Sequence, residues 1–350
     1  MTAATSRAPR IALWDNARWL LLVLIVWGHL LNDLPEGSAA QRWMALLLYV
    51  FHIPALIFLS GYFASTDPRK SIVAVWRLAL TWLVFEGIWA LVRFATGAGP
   101  FPHSFLVIPG WTLWYLVTLI VLILVLPLIL ATRAPLIISV LISLLSGLLP
   151  AIGPQWSLSR TAYLLPIFVL GYLCRERGLL AARWFLQPSW GARIVAGAML
   201  LTVGAAAWIA RVPLEALGMR GWAAGYTSYE GMLAPRGLEP AWGILIRVGL
   251  LVAAVAMSLA FLLLVPRRRL FFTSWGGRTL YVYLLHTFVL RLIFASGILV
   301  PVAGLAIPML VATGVIAVGL TILLSTTPVV RIARPVVEPP VSALLSTRKL

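Results

Sequence analysis

The sequence predicts an all-α fold: a polytopic transmembrane helical bundle of about ten helices with both termini on the cytoplasmic side. Three observations carry this expectation. Of 350 residues, 62% are hydrophobic and 11% charged, against roughly a quarter charged in an ordinary soluble domain, which leaves too little polar surface to cover a soluble core. Apolar stretches about 20 residues long follow one another along the chain. The segments between them alternate between basic and neutral or balanced, the pattern expected of alternating membrane sides.

The stretches fall at 12–32, 43–64, 72–94, 111–131, 134–150, 160–176, 192–210, 243–265, 276–297 and 303–325. The first is too long for a removable secretory signal and has no small-residue cleavage site, so it is expected to stay as a helix. The second carries His52 beside Pro54, and the third carries Glu86 between Arg77 and Arg93. The fourth opens on the aromatic run Trp111 to Tyr115. The fifth and sixth are short, and the helix count falls if they form a re-entrant pair. The seventh and eighth flank the longest connection, about 211–242, and the ninth carries His286. No Ser/Gly/Pro-rich linker and no fixed-period repeat interrupts the chain. One membrane domain is therefore expected over 11–327, between cytoplasmic segments 1–10 and 328–350.

A net charge of +17 would suit nucleic acid, but its distribution argues for topology instead, and no nucleic-acid partner is expected. Arg7 and Arg10, Arg69 and Lys70, Arg133, Arg175/Arg177/Arg183, Arg267 to Arg269, and Arg331/Arg334/Arg348/Lys349 mark one side. The other side carries Asn32-Asp33 with Glu36, and a loop in which Glu215, Glu230 and Glu239 offset Arg211, Arg220 and Arg236. The lone Cys174 excludes a cysteine-rich metal site and reads as a small packing residue. No metal is expected.

Ionisable groups inside a span are costly in hydrocarbon and so become the informative residues. Eleven positions separate Arg18 from His29, within about 20° of three whole helical turns, so both lie on one face about 16 Å apart along the axis. Asp15 shares that face and is spaced to pair with Arg18. Such a stripe suits a cytoplasmic phosphate-bearing donor held by Arg18, with His29 as general base on a hydroxyl arriving from the other side. The bland account makes Arg18 a snorkelling cation, Asp15 a cap and His29 an interfacial histidine. His52 is a candidate for substrate contact, or for bonding the carbonyl that Pro54 frees. Arg69, Lys70 and Arg77 are a candidate diphosphate clamp, although topology explains the first two. Glu86 and His286 are further intramembrane candidates, and cross-helix bonding is the competing role for each. In the long loop, Trp222 and Tyr226 offer aromatic faces suited to sugar rings, a composition that interfacial belts also produce.

Taken with FHIPALIFLSGYF at 51–63, WTLWYL at 111–116, FVLGY at 168–172 and GGRTLYVYLLH at 276–286, the Asp15-Asn16-Ala17-Arg18 to Gly28-His29 pattern resembles acyltransferase family 3, the membrane O-acyltransferases, and within it the fucose-4-O-acetylase-like branch. The resemblance implies a ten-helix acyltransferase domain in the cell's inner (plasma) membrane. It implies acyl-CoA, in the first place acetyl-CoA, as donor and a carbohydrate or glycoconjugate as acceptor. It also implies His29 as catalytic residue with Arg18 as its partner; Asp15 and His286 complete the catalytic candidates, and Trp114 joins those for the acceptor. Two readings compete: a secondary transporter or glycan flippase using the His and Glu residues as a proton relay, and a scaffold subunit.

Overall fold

The computed structural model describes residues 11–32, 37–96, 106–302 and 304–340. Arg7, Arg10, Asp33, Glu36, Arg348 and Lys349, on which part of the charge pattern rests, lie outside them. Among the described residues every regular element is helical. The order is α1 (Ala12–Asn32), α2 (Ala39–Tyr62), α3 (Pro68–Ala95), α4 (Trp114–Leu130), α5 (Pro135–Ser146), α6 (Leu158–Glu176), α7 (Arg183–Leu186) and α8 (Trp190–Ile209). Three short helices follow, α9 (Arg211–Ala216), α10 (Met219–Ala224) and α11 (Tyr229–Leu233). The chain continues through α12 (Trp242–Leu264), α13 (Thr279–Ser296), α14 (Ala306–Ser325) and α15 (Thr327–Val337).

Each of the ten apolar stretches coincides with one helix, but seven helices among the described residues are long and apolar enough to cross a membrane: α2, α3, α6 with the turn before it, α8, α12, α13 and α14. α1 has the length, yet Asp15, Asn16, Arg18 and His29 dilute its apolar run and it falls outside this set. α4 and α5 have 17 and 12 residues, about 25 and 18 Å at 1.5 Å per residue, short of the roughly 30 Å hydrocarbon core. The sixth stretch is slightly longer than its sequence suggests, with 19 helical residues in α6, and a kinked turn at 155–157, where Trp156 and Ser157 have positive φ, precedes it.

Local chemistry sets the helix ends. Ser38, Asp67 and Ser189 accept from the Gln41, Arg69 and Ala192 backbone N–H groups, satisfying donors that the first helical turn leaves unpaired. Gly297 closes α13 in the left-handed conformation, with φ +66°.

At the centre stand α2 and α6, each 72% buried along its apolar window, whereas α8 is 11% buried and presents Ile194 and Leu201 outward. Glycine permits the central crossing. A Cβ on Gly61 would run into the Phe168 carbonyl, and one on Gly171 into the Phe58 carbonyl, so the LSGY and FVLGY blocks are the two halves of one close helix contact. α1 packs between α2, α13 and α14.

Two segments read as solvent-facing topology markers are drawn into the bundle. Residues 327–337 form α15, which seats Ala333 and Val337 and whose Val337 carbonyl accepts from the Thr81 hydroxyl at 3.0 Å. Arg267, at the end of α12, turns inward onto the Leu263, Val265 and Phe185 carbonyls. Burial, reinforced by Arg193, pulls its guanidinium down to about 10.

Candidate active site

The first turn of α1 is fixed from two directions. Asn16 donates to the Pro266 and Arg268 carbonyls at 2.9 and 3.0 Å and accepts from the Thr273 hydroxyl at 2.6 Å. Asp15 lies directly beneath Gly276, where any side chain would strike its Cα and Cβ, so the glycine of the GGRT block is a packing requirement. Arg18 pairs with Asp15 at 3.7 Å and lies 4.3 Å over the Phe63 ring.

At the other end of α1 the His29 ring lies 5.3 Å from that of His286, 5.8 Å from Trp111 and 6.4 Å from Tyr49. His286 Nδ1 is 3.0 Å from the Val282 carbonyl; a carbonyl only accepts, so Nδ1 carries the proton and Nε2 is left with its lone pair. Both His286 Nε2 and His29 Nδ1 are buried without a hydrogen-bond partner, an uncommon condition for buried polar atoms. His52 donates Nδ1–H to the Leu48 carbonyl, and not to the Val50 carbonyl that Pro54 frees.

Trp111 reaches His29 from a non-glycine residue at φ +27°, a strained conformation that must be held by its surroundings. Its neighbours are clamped: Gly110 N–H donates to Glu86 at 2.8 Å, and the Tyr283 hydroxyl donates to the Thr112 carbonyl. Glu86 also accepts from Trp82 Nε1 at 3.0 Å. The two flanking bonds leave Trp111 between them as the element that turns toward the histidine.

Three cavities share walls along this axis. A cavity of about 380 Å³ is lined by His29, His52, Tyr49, Trp114, Arg160 and Tyr226, among others. One of about 180 Å³ lies between Arg18, Ser60, Tyr115 and Tyr283. A third, of about 320 Å³, is bounded by Asp15, Arg18, Phe63 and Arg175. Tyr283 lines the first and second, and Arg18 the second and third. Arg18 and His29, read from sequence as two ends of one stripe, therefore line separate cavities that are related through the shared wall residue Tyr283.

The other candidates divide. Trp114 and Tyr226 line the His29 cavity. Trp222 is buried, donates to the Leu217 carbonyl at 3.1 Å and stacks on Tyr229, so it supports the loop. Arg69, Lys70 and Arg77 line none of the three cavities, and Lys70 pairs with Asp67 at 3.8 Å. Glu86 lines none of them either; its carboxylate bonds the Gly110 N–H beside the Trp111 turn. Sequence reasoning missed Tyr283 and two arginines. Arg160 sits in the cavity wall, 4.5 Å over Trp114 and 5.3 Å over Tyr226. Arg247, 2% exposed within α12, donates to the Ser143 carbonyl at 3.0 Å and lies over Tyr163 and Tyr229. The intramembrane-charge rule applied to Glu86 finds Arg247 in the eighth stretch and Arg160 at the start of the sixth as well.

A family model described as an acyltransferase domain matches residues 11–326. No curated protein and no solved structure gives a match.

Proposed function

The chain belongs to acyltransferase family 3, and on that premise we propose that it is an inner-membrane O-acetyltransferase carrying an acetyl group from cytoplasmic acetyl-CoA to a hydroxyl of a carbohydrate or glycoconjugate. The observation that carries this reading is the run of cavities from Arg18 through Tyr283 to His29. It supports a division of labour: the Arg18 end, with Arg175 beside it, takes the donor's phosphates, and the narrow middle compartment admits the pantetheine arm. The His29 cavity takes the acceptor between aromatic faces and polar groups.

In the direct route His29 removes the acceptor hydroxyl proton as the oxygen attacks the thioester carbonyl. The C–S bond then breaks, and the CoA thiolate takes the proton back from the imidazolium. In the covalent route His29 attacks first, releases CoA and passes the acetyl group on. His286, against His29, supports either route by orienting the ring. Family membership leaves the transporter reading without support.

The test is release of free thiol from acetyl-CoA by the purified protein, with and without a crude envelope-glycan extract, in wild type and His29→Ala. Release that needs both extract and His29 is expected. Full release by a folded His29→Ala protein would overturn the assignment.

A further inference from the structure

The acceptor end of the molecule is built for negative charge. Beside the His29 cavity, and sharing Arg220, Gly221 and Tyr226 with it, lies a second cavity of about 470 Å³ lined by Arg42, Arg211, Arg220 and Arg236. Glu215 is the carboxylate in its wall, already engaged with Arg42 at 3.1 Å. In sequence the loop arginines look balanced by Glu215, Glu230 and Glu239; in space Glu230 and Glu239 are not among the cleft's lining residues while the arginines are, Arg42, Arg211 and Arg236 also donating to the Gly37, Trp208, Ala216 and Met232 carbonyls around it.

The His29 cavity continues the pattern. Its wall carries Arg160 and Arg220 and, among the described residues, no Asp or Glu. The Arg160 contacts are the Ala224 carbonyl at 3.2 Å and the Trp114 and Tyr226 faces; Arg220 donates to Asn32 Oδ1 at 3.2 Å. Guanidinium groups only donate. Phosphate or carboxylate oxygens accept bidentately from guanidinium groups, and the two cavities together are lined by Arg42, Arg160, Arg211, Arg220 and Arg236 against one carboxylate, Glu215, among the described residues. Positive-inside topology does not explain this cluster, because the residues lie at the His29 end, which the charge pattern assigns to the outer side.

We infer that this arginine-lined cleft binds an anionic carbohydrate, holding its phosphate or carboxylate group beside the His29 cavity. The inference rests on the acyltransferase reading in taking that carbohydrate as the acceptor. An anionic lipid headgroup offers the same oxygens and is the rival source.

The test measures binding directly, in protein reconstituted into phosphatidylcholine nanodiscs, so it reads the cleft whether or not transfer occurs. The probes are 4-nitrophenyl β-glucuronide against neutral 4-nitrophenyl β-glucoside, and glucose 1-phosphate against glucose. Each anionic probe is expected to bind at least about tenfold more tightly than its neutral partner, the scale of one charge-assisted hydrogen bond. Arg220→Gln and Arg236→Gln should erase that difference, and Glu215→Gln should strengthen anion binding. Equal binding of charged and neutral probes, or anion binding indifferent to the arginine substitutions, overturns the inference. So does displacement of the sugar anions by phosphatidylglycerol in the disc through the same arginines, which would assign the cleft to a lipid. Loss of the acyltransferase reading shows separately, as absent thiol release with arginine-dependent anion binding intact.

Discussion

His29 and His286, at opposite ends of the sequence, meet with ring centroids 5.3 Å apart and an interplanar angle of 41°. Each presents one buried nitrogen without a hydrogen-bond partner, and the Val282 carbonyl fixes the proton of His286 on Nδ1. The pair is thus asymmetric: one ring is anchored by its own helix, and the other stands in the wall of the 380 Å³ cavity.

That asymmetry predicts unequal substitutions. His29→Ala removes the proton acceptor and should lower kcat by roughly 10²–10⁴-fold, the usual worth of a positioned general base. His286→Ala should act through the orientation of His29, cutting kcat less while leaving KM for acetyl-CoA unchanged. Steady-state kinetics on both variants checks this; a rise in acetyl-CoA KM with unchanged kcat in His286→Ala would make His286 a donor contact instead.

Glu86 predicts a structural effect with a catalytic readout. Its carboxylate accepts from Gly110 N–H and Trp82 Nε1, and Glu86→Ala leaves the buried Trp82 Nε1 without an acceptor, at a cost of about 1–3 kcal/mol, and the half-buried Gly110 N–H without its partner. Glu86→Gln keeps one acceptor oxygen and should recover part of the stability. Thermal unfolding in detergent, read beside Trp fluorescence of the 111 turn, should rank wild type above Glu86→Gln above Glu86→Ala, with transfer falling in the same order. A stable, inactive Glu86→Gln protein would point to direct chemistry at this carboxylate.

How much of this was legible in the sequence follows from what each signal measures. Helical period connects Arg18 with His29 because both belong to one helix, and the ten apolar stretches announce ten helices. Period cannot say which helices meet, so the His29–His286 contact rests on a fold-level arrangement no local pattern encodes. The Trp111 turn was opaque for another reason: positive φ is expected of glycine, and a tryptophan adopts it only because Glu86 and Tyr283 hold its neighbours. Counting charges along the 211–242 loop gave balance, because a count ignores the folding that gathers its arginines and leaves Glu230 and Glu239 aside. Arg69, Lys70 and Arg77 stand close together in sequence, and the three cavities between Arg18 and His29 are lined without them.

The reciprocal glycines of α2 and α6 predict a strict size limit. Gly61→Ala or Gly171→Ala would set a methyl group against the backbone of the facing helix, where no side-chain movement relieves it. Overpacking of this kind costs about 1–3 kcal/mol or more. Lower melting temperature and reduced yield are expected for both variants, whereas Gly87→Ala on α3, where an added Cβ meets nothing within 4 Å, should match wild type. Equal stability of all three would mean that α2 and α6 stand further apart than described.

Arg18 tests the donor end of the path. It lines the two cavities on the far side of Tyr283 from His29 and is held by Asp15 and the Phe63 face. Lysine keeps the charge but loses the planar fork and its stacking, so Arg18→Lys should raise KM for acetyl-CoA several-fold and Arg18→Ala further, with acceptor KM unaffected in both. Dephospho-CoA thioester supplies the internal control: if Arg18 grips the 3′-phosphate, removing that phosphate from the donor should penalise wild type and leave Arg18→Ala almost indifferent. An equal penalty in both proteins would move the arginine's contact to the diphosphate, and an unchanged donor KM in Arg18→Ala would confine Arg18 to holding the α1 turn against Asp15.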